Sequence, residues 1–320
     1  MTLPAQAMRD AFLLRLLEAM RQDDKLFFVT ADFGSPVLDR IRAEHPNRFV
    51  NVGIAEQNLI NVSAGLALEG FTVFAYAIAP FITMRCYEQI RVSLALLSEV
   101  RPMNVNLIGV GAGYSYVVSG PTHQCYEDLT IMRCLPNLGL LSPCDHVMAA
   151  AMFDTCIARR QPKYLRLDAQ VLPIIHQEYT PNLGRGFASL RREGKLCFVA
   201  TGYPVHTAIR VADEFAKAGR ELAVIDLFDM AGFDKAAFLQ ELTSYQALVT
   251  LEEGFKGRGG LDAMLFDFLA NEVPRPLLNL GVTPGYRFEL GNRTELHEQV
   301  GIGPEAVKRA VSAFMDKHQL

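Results

Sequence analysis

The sequence predicts two α/β domains, each built on a parallel sheet covered by helices. Strand-like and helix-like segments alternate along nearly the whole chain, the pattern produced by parallel strands joined through crossover helices. The alternation lapses once, between 177 and 194, into Pro181-Asn-Leu-Gly184 and the charged stretch Arg191-Arg-Glu193, which reads as a linker between a domain at 1–176 and a second at 195–320. With 320 residues, 50% of them hydrophobic, the chain has ample apolar surface for two cores.

Each element follows from local pattern. Arg9 to Met20 carries apolar residues at helical spacing, Lys25 to Thr30 reads as a strand, and Val37 to His45 is a helix stopped by Pro46. A strand at Arg48 to Val52 passes through Gly53-Ile-Ala55 into an apolar helix, Glu56 to Leu68, ended by Gly70. Phe71 to Ala77 is rich in β-branched and aromatic residues and predicts a strand. A long helix from Phe81 to Ser98 precedes strand Asn104 to Val110, a Gly-rich loop and a short helix through Leu129. Strand Gly139 to Leu141, helix His146 to Ala158 and strand Lys163 to Leu167 complete the first domain. In the second, strands are expected at Leu196–Ala200, Glu221–Asp226, Ala247–Leu251 and Leu277–Leu280, and helices at Pro204–Ala218, Lys235–Leu242, Gly260–Ala270 and Pro304–Met315.

Composition narrows the function classes. A net charge of −4 without basic or acidic runs offers no electrostatic footprint for nucleic acid. The start, Met1-Thr-Leu-Pro-Ala5, lacks the basic and apolar regions of a signal peptide, and no apolar run reaches the roughly 20 residues of a membrane span; the expected compartment is the cytoplasm. Six cysteines form no C-x-x-C pair, so buried reduced thiols are expected instead of a metal or redox centre. The loop Gly109-Val-Gly-Ala-Gly113 lacks the third spaced glycine and the immediate helix of a dinucleotide fingerprint.

Glu56 is the most expensive residue in the chain by this reading. An ionised carboxylate among Val52, Ile54, Ile60 and Val62 costs several kcal/mol, so the group keeps its proton unless something basic meets it. Taken alone, Glu56 can also be read as an acid charging the first turn of its helix. Downstream stand Phe81-Ile-Thr-Met-Arg-Cys-Tyr-Glu-Gln89, Ser119-Gly-Pro-Thr-His-Gln124 and Thr250-Leu-Glu-Glu-Gly254 with Gly257-Arg-Gly-Gly260. Together with Arg48-Phe-Val-Asn-Val-Gly-Ile-Ala-Glu-Gln57, these segments resemble the C-terminal section of transketolase and, more distantly, deoxyxylulose-phosphate synthase. The resemblance spans nearly the whole chain. It implies a thiamine-diphosphate pyrimidine-binding domain followed by a transketolase C-terminal-like domain.

The resemblance also implies roles. In this family the 4′-amino group of thiamine diphosphate acts as a base once a carboxyl opposite the ring nitrogen has shifted the aminopyrimidine to its imino form; Glu56 matches that carboxyl. Phe81 and Tyr87 match the aromatics that hold the ring, and Met84 stands where another aromatic is usual. Phe81, Met84 and Glu88 share a helical face, which by itself reads equally as core. Asp32 matches an acidic residue near the cofactor, with capping of the following helix as the other reading. His123 matches the histidine that faces the reacting carbonyl.

Three departures bear on substrate. Ser119 stands where transketolases place an aspartate, Gly111 where they place a phosphate-contacting histidine, and Ala169 where they place a phosphate-binding arginine. A bidentate arginine is hard to replace, so the sugar-phosphate grip is expected to be altered, with Arg9 and Arg166 as partial substitutes. The expected substrate is an unusual sugar, a sulfonated or deoxygenated ketose, or a carrier-bound acyl group. No Gly-Asp-Gly motif occurs, so the Mg²⁺ that binds the diphosphate is expected on a partner, the N-terminal transketolase subunit, in an α₂β₂ heterotetramer. The competing readings are the β subunit of a 2-oxo-acid dehydrogenase or a deoxyxylulose-phosphate-synthase-like subunit, and, in another class, a non-catalytic assembly subunit.

Overall fold

The computed structural model describes residues 5–176, 182–272 and 274–320. The chain divides into two compact units, Met1–Ala112 with Ile131–Pro181, and Gly113–Thr130 with Asn182–Leu320. The first runs through α1 (Met8–Met20), β1 (Leu26–Thr30), α2 (Pro36–Glu44), β2 (Phe49–Asn51), α3 (Glu56–Leu68), β3 (Thr72–Ile78), α4 (Tyr87–Gln89), β4 (Asn104–Val110), the last half of α5 (Asp128–Arg133), β5 (Gly139–Leu141), α6 (His146–Ala158) and β6 (Lys163–Leu167). Its six strands pair in parallel in the order β2-β1-β3-β4-β6-β5. Leaving β1 the chain turns to one side to make β2, then crosses back to make β3 on the other. That reversal creates a switch point at the carboxyl ends of β1, β2 and β3, where ligands bind in open parallel sheets.

Burial explains why the elements hold. On α3, Leu59, Ile60, Ser63, Ala64 and Ala67 are buried, the spacing of a core-facing helical stripe. Phe12 of α1, Phe74 of β3 and Phe153 of α6 form one aromatic cluster, with Phe74 and Phe153 stacked at 5.7 Å, an arrangement that adds to simple area burial. Lys163 at the start of β6 is buried as well, and its ammonium donates to Asn104 Oδ1 and the Gln161 carbonyl at 2.7 Å and to the Arg159 carbonyl at 2.5 Å. Burial lowers it to about 8.

The helix expected from Phe81 to Ser98 is not a regular one. Phe81–Arg85 and Ile90–Leu96 are π-helical and flank the short α4. Thr83 Oγ1 donates to the Ala79 carbonyl at 2.7 Å and Cys86 Sγ to the Ile82 carbonyl at 2.8 Å, so side chains occupy acceptors that a straight helix gives to backbone N–H groups. Widened turns of this kind are frequent at functional sites.

The second unit contains β7 (Phe187–Arg191), β8 (Leu196–Ala200), α7 (Pro204–Lys217), β9 (Ala223–Leu227), α8 (Lys235–Leu242), β10 (Ala247–Phe255), α9 (Leu261–Leu269), β11 (Leu277–Val282), α10 (Arg293–Val300) and α11 (Pro304–His318). Its sheet has the order β11-β10-β8-β9-β7. It is mixed, not purely parallel: β7 pairs antiparallel with β9. The linker expected at 177–194 therefore needs correction. Its first part, 177–181, lies outside the described residues, and the remainder contains a short 3₁₀ turn, Leu183–Arg185, and the edge strand β7. The helix α10 was not expected either, although Asn292 and Glu295 form a full capping box at its start, a signal present in the sequence. Five of the six cysteines are buried and Cys134 is exposed, and none is in a disulfide among the described residues.

Candidate functional site

In the first unit the residues singled out by sequence converge on the carboxyl ends of the first three strands. Asp32 follows β1 and sits in the left-handed region with φ 51°, a conformation that costs a non-glycine residue energy and clusters at functional positions. Asn51, the last residue of β2, holds it from two directions: Asn51 Nδ2 donates to Asp32 Oδ1 and the Asp32 N–H donates to Asn51 Oδ1, both at 3.1 Å. The same Asn51 oxygen accepts the Gly53 N–H at 2.9 Å. Asp32 does not cap α2; Ser35 does, accepting from the Leu38 N–H at 3.3 Å. Its carboxylate is instead paired with Asn51 at the end of β2. Asn51 escaped the sequence reading because an asparagine ending a strand is ordinary turn chemistry.

Glu56 is the first residue of α3 and only 1% exposed. Something basic does meet it: Arg85 Nη1 lies 2.7 Å from Glu56 Oε2. The exception allowed by the sequence reading therefore applies, and the carboxyl is paired with a guanidinium. Among the described residues Oε1 has no hydrogen bond, so one oxygen is committed and the other is open. The Arg85 guanidinium also lies over the Phe81 ring, 4.6 Å from its centroid, a cation–π arrangement. Arg85 lies within the Phe81–Gln89 motif but carries no weight there from sequence, because its partner is 29 residues away.

The remaining ring-holding candidates are near this pair in sequence and fold. Phe81 is half-buried and Met84 exposed. Tyr87 is half-buried, and its hydroxyl donates to the Ile131 carbonyl at 2.8 Å; burial raises its phenol. Between them Cys86 is fully buried, and burial first, then the Glu56 charge, pushes its thiol up to about 12.

Arg9 and Arg166 belong to this unit too, but neither is an open cation. Arg9 Nε donates to Asp10 Oδ1 at 2.8 Å, and Arg166 is buried in β6 in register with Gly109 of β4. Gly111, in the place of a family histidine, has φ 100° and donates to the Leu167 carbonyl at 2.9 Å.

His123 and Ser119 lie in the second unit, on the loop that follows β4. Gly120, with φ 70°, turns the chain so that its carbonyl accepts both the His123 N–H (3.1 Å) and the Gln124 N–H (3.2 Å), a backbone path that glycine permits. His123 is half-buried, with Thr122 Oγ1 2.9 Å from its Nδ1. Ser119 is exposed.

The donor set suits the pyrimidine end of thiamine diphosphate: a buried carboxylate with one open oxygen, a half-buried aromatic face and a constrained acid at a switch point. Comparison with known proteins bears on the family. The family model described as transketolase, pyrimidine binding domain, matches residues 4–174, and that described as transketolase, C-terminal domain, matches 186–307. The chain is 31% identical to the 6-deoxy-6-sulfo-D-fructose transketolase subunit SqwH of Clostridium sp. (strain MSTE9), over 97% of this chain and 95% of that one. It is 29% identical to one of the subunits of the apulose-4-phosphate transketolase of Phocaeicola vulgatus, over 97% and 98%. Among solved structures, a split-gene transketolase in the form of an inactive beta4 tetramer superposes with a TM-score of 0.84 at 29% identity, covering 98% of this chain and 99% of that one.

Proposed function

We propose, because this chain belongs to the transketolase family of thiamine-diphosphate enzymes, that it is the C-terminal subunit of a split enzyme moving a two-carbon ketol or related acyl unit from a ketose donor to an aldehyde or an atypical acceptor. The observation that carries this is the Glu56 carboxylate, buried at the start of α3 with Oε2 given to Arg85 and Oε1 open. Thiamine diphosphate, when bound, supplies the nucleophilic carbon that takes up the transferred unit. Glu56 exchanges the proton that activates the ring, through Oε1. Phe81, Met84 and Tyr87 hold the flat ring, and Asp32 stands by as a fixed acceptor. His123 moves a proton to or from the substrate oxygen, with Ser119, Arg9 and Arg166 on the substrate side.

Magnesium and the diphosphate fall to an N-terminal partner subunit in this reading. Support comes from large apolar side chains that the first unit leaves exposed, Ile54, Met84, Val92, Leu96 and Val100, which a partner subunit would cover. The likeness to a split-gene chain that forms an inactive beta4 tetramer points the same way. The relatives named for a sulfonated ketose and for apulose 4-phosphate support an unusual ketose as donor. A cytoplasmic location is part of the same reading; among the described residues no helix is long and apolar enough to cross a membrane.

Reconstitution tests it. The purified chain, thiamine diphosphate and Mg²⁺ are assayed with 6-deoxy-6-sulfo-D-fructose and apulose 4-phosphate, alone and after mixing with a candidate N-terminal subunit. Turnover in the mixture only is the expected result. Tight magnesium-dependent binding and full turnover by this chain alone would remove the split-enzyme assignment.

A further inference from the structure

The loop bearing His123 is pinned at its base. The Gly113 N–H donates to the Cys125 carbonyl at 2.9 Å, and the Cys125 N–H returns to the Gly113 carbonyl at 3.0 Å. Against that base lies Glu253, on β10 and wholly buried. Its Oε1 accepts the Tyr114 N–H at 2.9 Å, His297 Nε2 at 2.6 Å and Arg293 Nε at 3.2 Å, while Oε2 accepts Arg293 Nη2 at 2.7 Å. Arg293 is stacked on Tyr203, 3.7 Å from the ring centroid, and His297 packs edge-on to both Tyr114 and Tyr203. Gly113 has φ 54°, and a Cβ there would come within 2.0 Å of the Glu253 carboxyl group, so the carboxylate reaches the loop only because this residue is glycine.

A buried ion pair contributes little net stability compared with apolar filling of the same space. The arrangement makes sense where a fixed hydrogen-bond acceptor is needed at one backbone position. The neighbouring Glu252 shows the same use of charge for a different end, since its oxygens accept the Leu261 and Asp262 N–H groups at the start of α9, at 2.9 and 3.0 Å. We propose that Glu253, held by Arg293 and His297, is the positioning residue for the His123 loop: it fixes the Tyr114 backbone, and through the Gly113–Cys125 closure sets where the histidine is presented. This rests on the assignment of His123 given above.

The test uses the chain reconstituted with its partner subunit, thiamine diphosphate and Mg²⁺, in wild-type, Glu253→Ala, Glu253→Gln, Arg293→Lys, His123→Ala and Glu253→Ala/His123→Ala forms. Amide exchange by mass spectrometry reads the loop without reference to chemistry. In Glu253→Ala, exchange over 113–125 should rise by at least ~10-fold while the first unit's strands keep their protection. Turnover with the ketose accepted in reconstitution should fall by ~10²-fold, as expected when a reacting group is displaced, with donor KM nearly unchanged. Glu253→Gln retains one acceptor for the Tyr114 N–H, so both effects should be smaller, and the double variant should be no slower than His123→Ala.

Unchanged exchange over 113–125 in a folded Glu253→Ala overturns the positioning claim. Raised exchange with wild-type kcat overturns its bearing on turnover, as do multiplicative losses in the double variant. Where Glu253→Ala does not fold, Glu253→Gln and Arg293→Lys carry the same comparison. Wild-type turnover by His123→Ala would instead remove the premise about the histidine, and the exchange result would still decide the role of Glu253 in the loop.

Discussion

Each unit of this protein buries a glutamate against an arginine, yet the two carboxylates are bound very differently. Glu253 meets Arg293, whose side chain is 4% exposed, together with His297 and a backbone N–H, and both of its oxygens are committed. Glu56 meets Arg85, whose side chain is 43% exposed, through one oxygen only. A carboxylate has about four lone-pair sites, and how many are spent inside the protein separates a carboxylate that holds structure from one left for a ligand. Burial alone would not have distinguished them, because both side chains are almost fully enclosed.

The largest effect expected from this contrast is on catalysis. Glu56→Gln keeps the shape and removes the exchangeable charge, so kcat of the reconstituted enzyme should fall by about 10²- to 10⁴-fold, the range for general acid–base groups, while the melting temperature of the chain changes little. If turnover survives, Glu56 is a structural pair like Glu253 and the contrast disappears. Next in size is stability. Removing Glu253 leaves a buried guanidinium without its counter-ion, which costs about 3–5 kcal/mol. Urea unfolding of Glu253→Ala and Arg293→Ala should show that loss, and an equal loss in Glu56→Gln would contradict the distinction. Arg85→Met comes third. Its guanidinium is open to solvent while Glu56 is buried, so the loss in unfolding free energy should lie between the ~1 kcal/mol of an exposed pair and the loss in Glu253→Ala. A loss as large as that in Glu253→Ala would mean that Arg85 is as locked as Arg293.

Much of this was legible in the sequence, for identifiable reasons. The predicted bounds of α3, β4, β5, α6, β6, β8 and α8 agree with the structure because their apolar periodicity and their ends, marked by glycine, proline or a capping aspartate, point the same way. The strand β7 was missed because Phe187-Ala-Ser-Leu-Arg191 is a half-buried edge strand with a weak alternation and lies beside a proline- and glycine-containing stretch. The helix α10 is polar enough to hide its period, and only its capping box announced it. At the site, Glu56 stood out because a carboxyl in an apolar helix demands explanation. Arg85 did not, because nothing in the pattern from Phe81 to Ser98 signals a π-helical segment or a pairing with Glu56, 29 residues earlier. Glu253 lay in a motif whose glutamates look interchangeable, and only the fold sends one to a helix start and the other to the loop base.

The smallest expected effect is also the most local reporter of the Glu56 charge. Cys86 is raised from 9.0 to about 12, chiefly by burial and then by Glu56. Alkylation by iodoacetamide at pH 8 should therefore label the exposed Cys134 and leave Cys86 untouched, since a thiol of that pKa is about 10⁻⁴ thiolate at this pH. The linkage has a definite sign. Between pH 9 and 12 the unfolded chain has lost the Cys86 proton while the folded chain retains it, so folded stability falls as pH rises through that window. Cys86→Ala should flatten this alkaline decline. Glu56→Gln should flatten it by less, because it removes only the second cause and leaves the burial in place. An alkaline profile unaffected by Glu56→Gln would indicate that the carboxylate exerts no field on its neighbour, and the charged pair with Arg85 would then have to be redrawn as a neutral hydrogen bond.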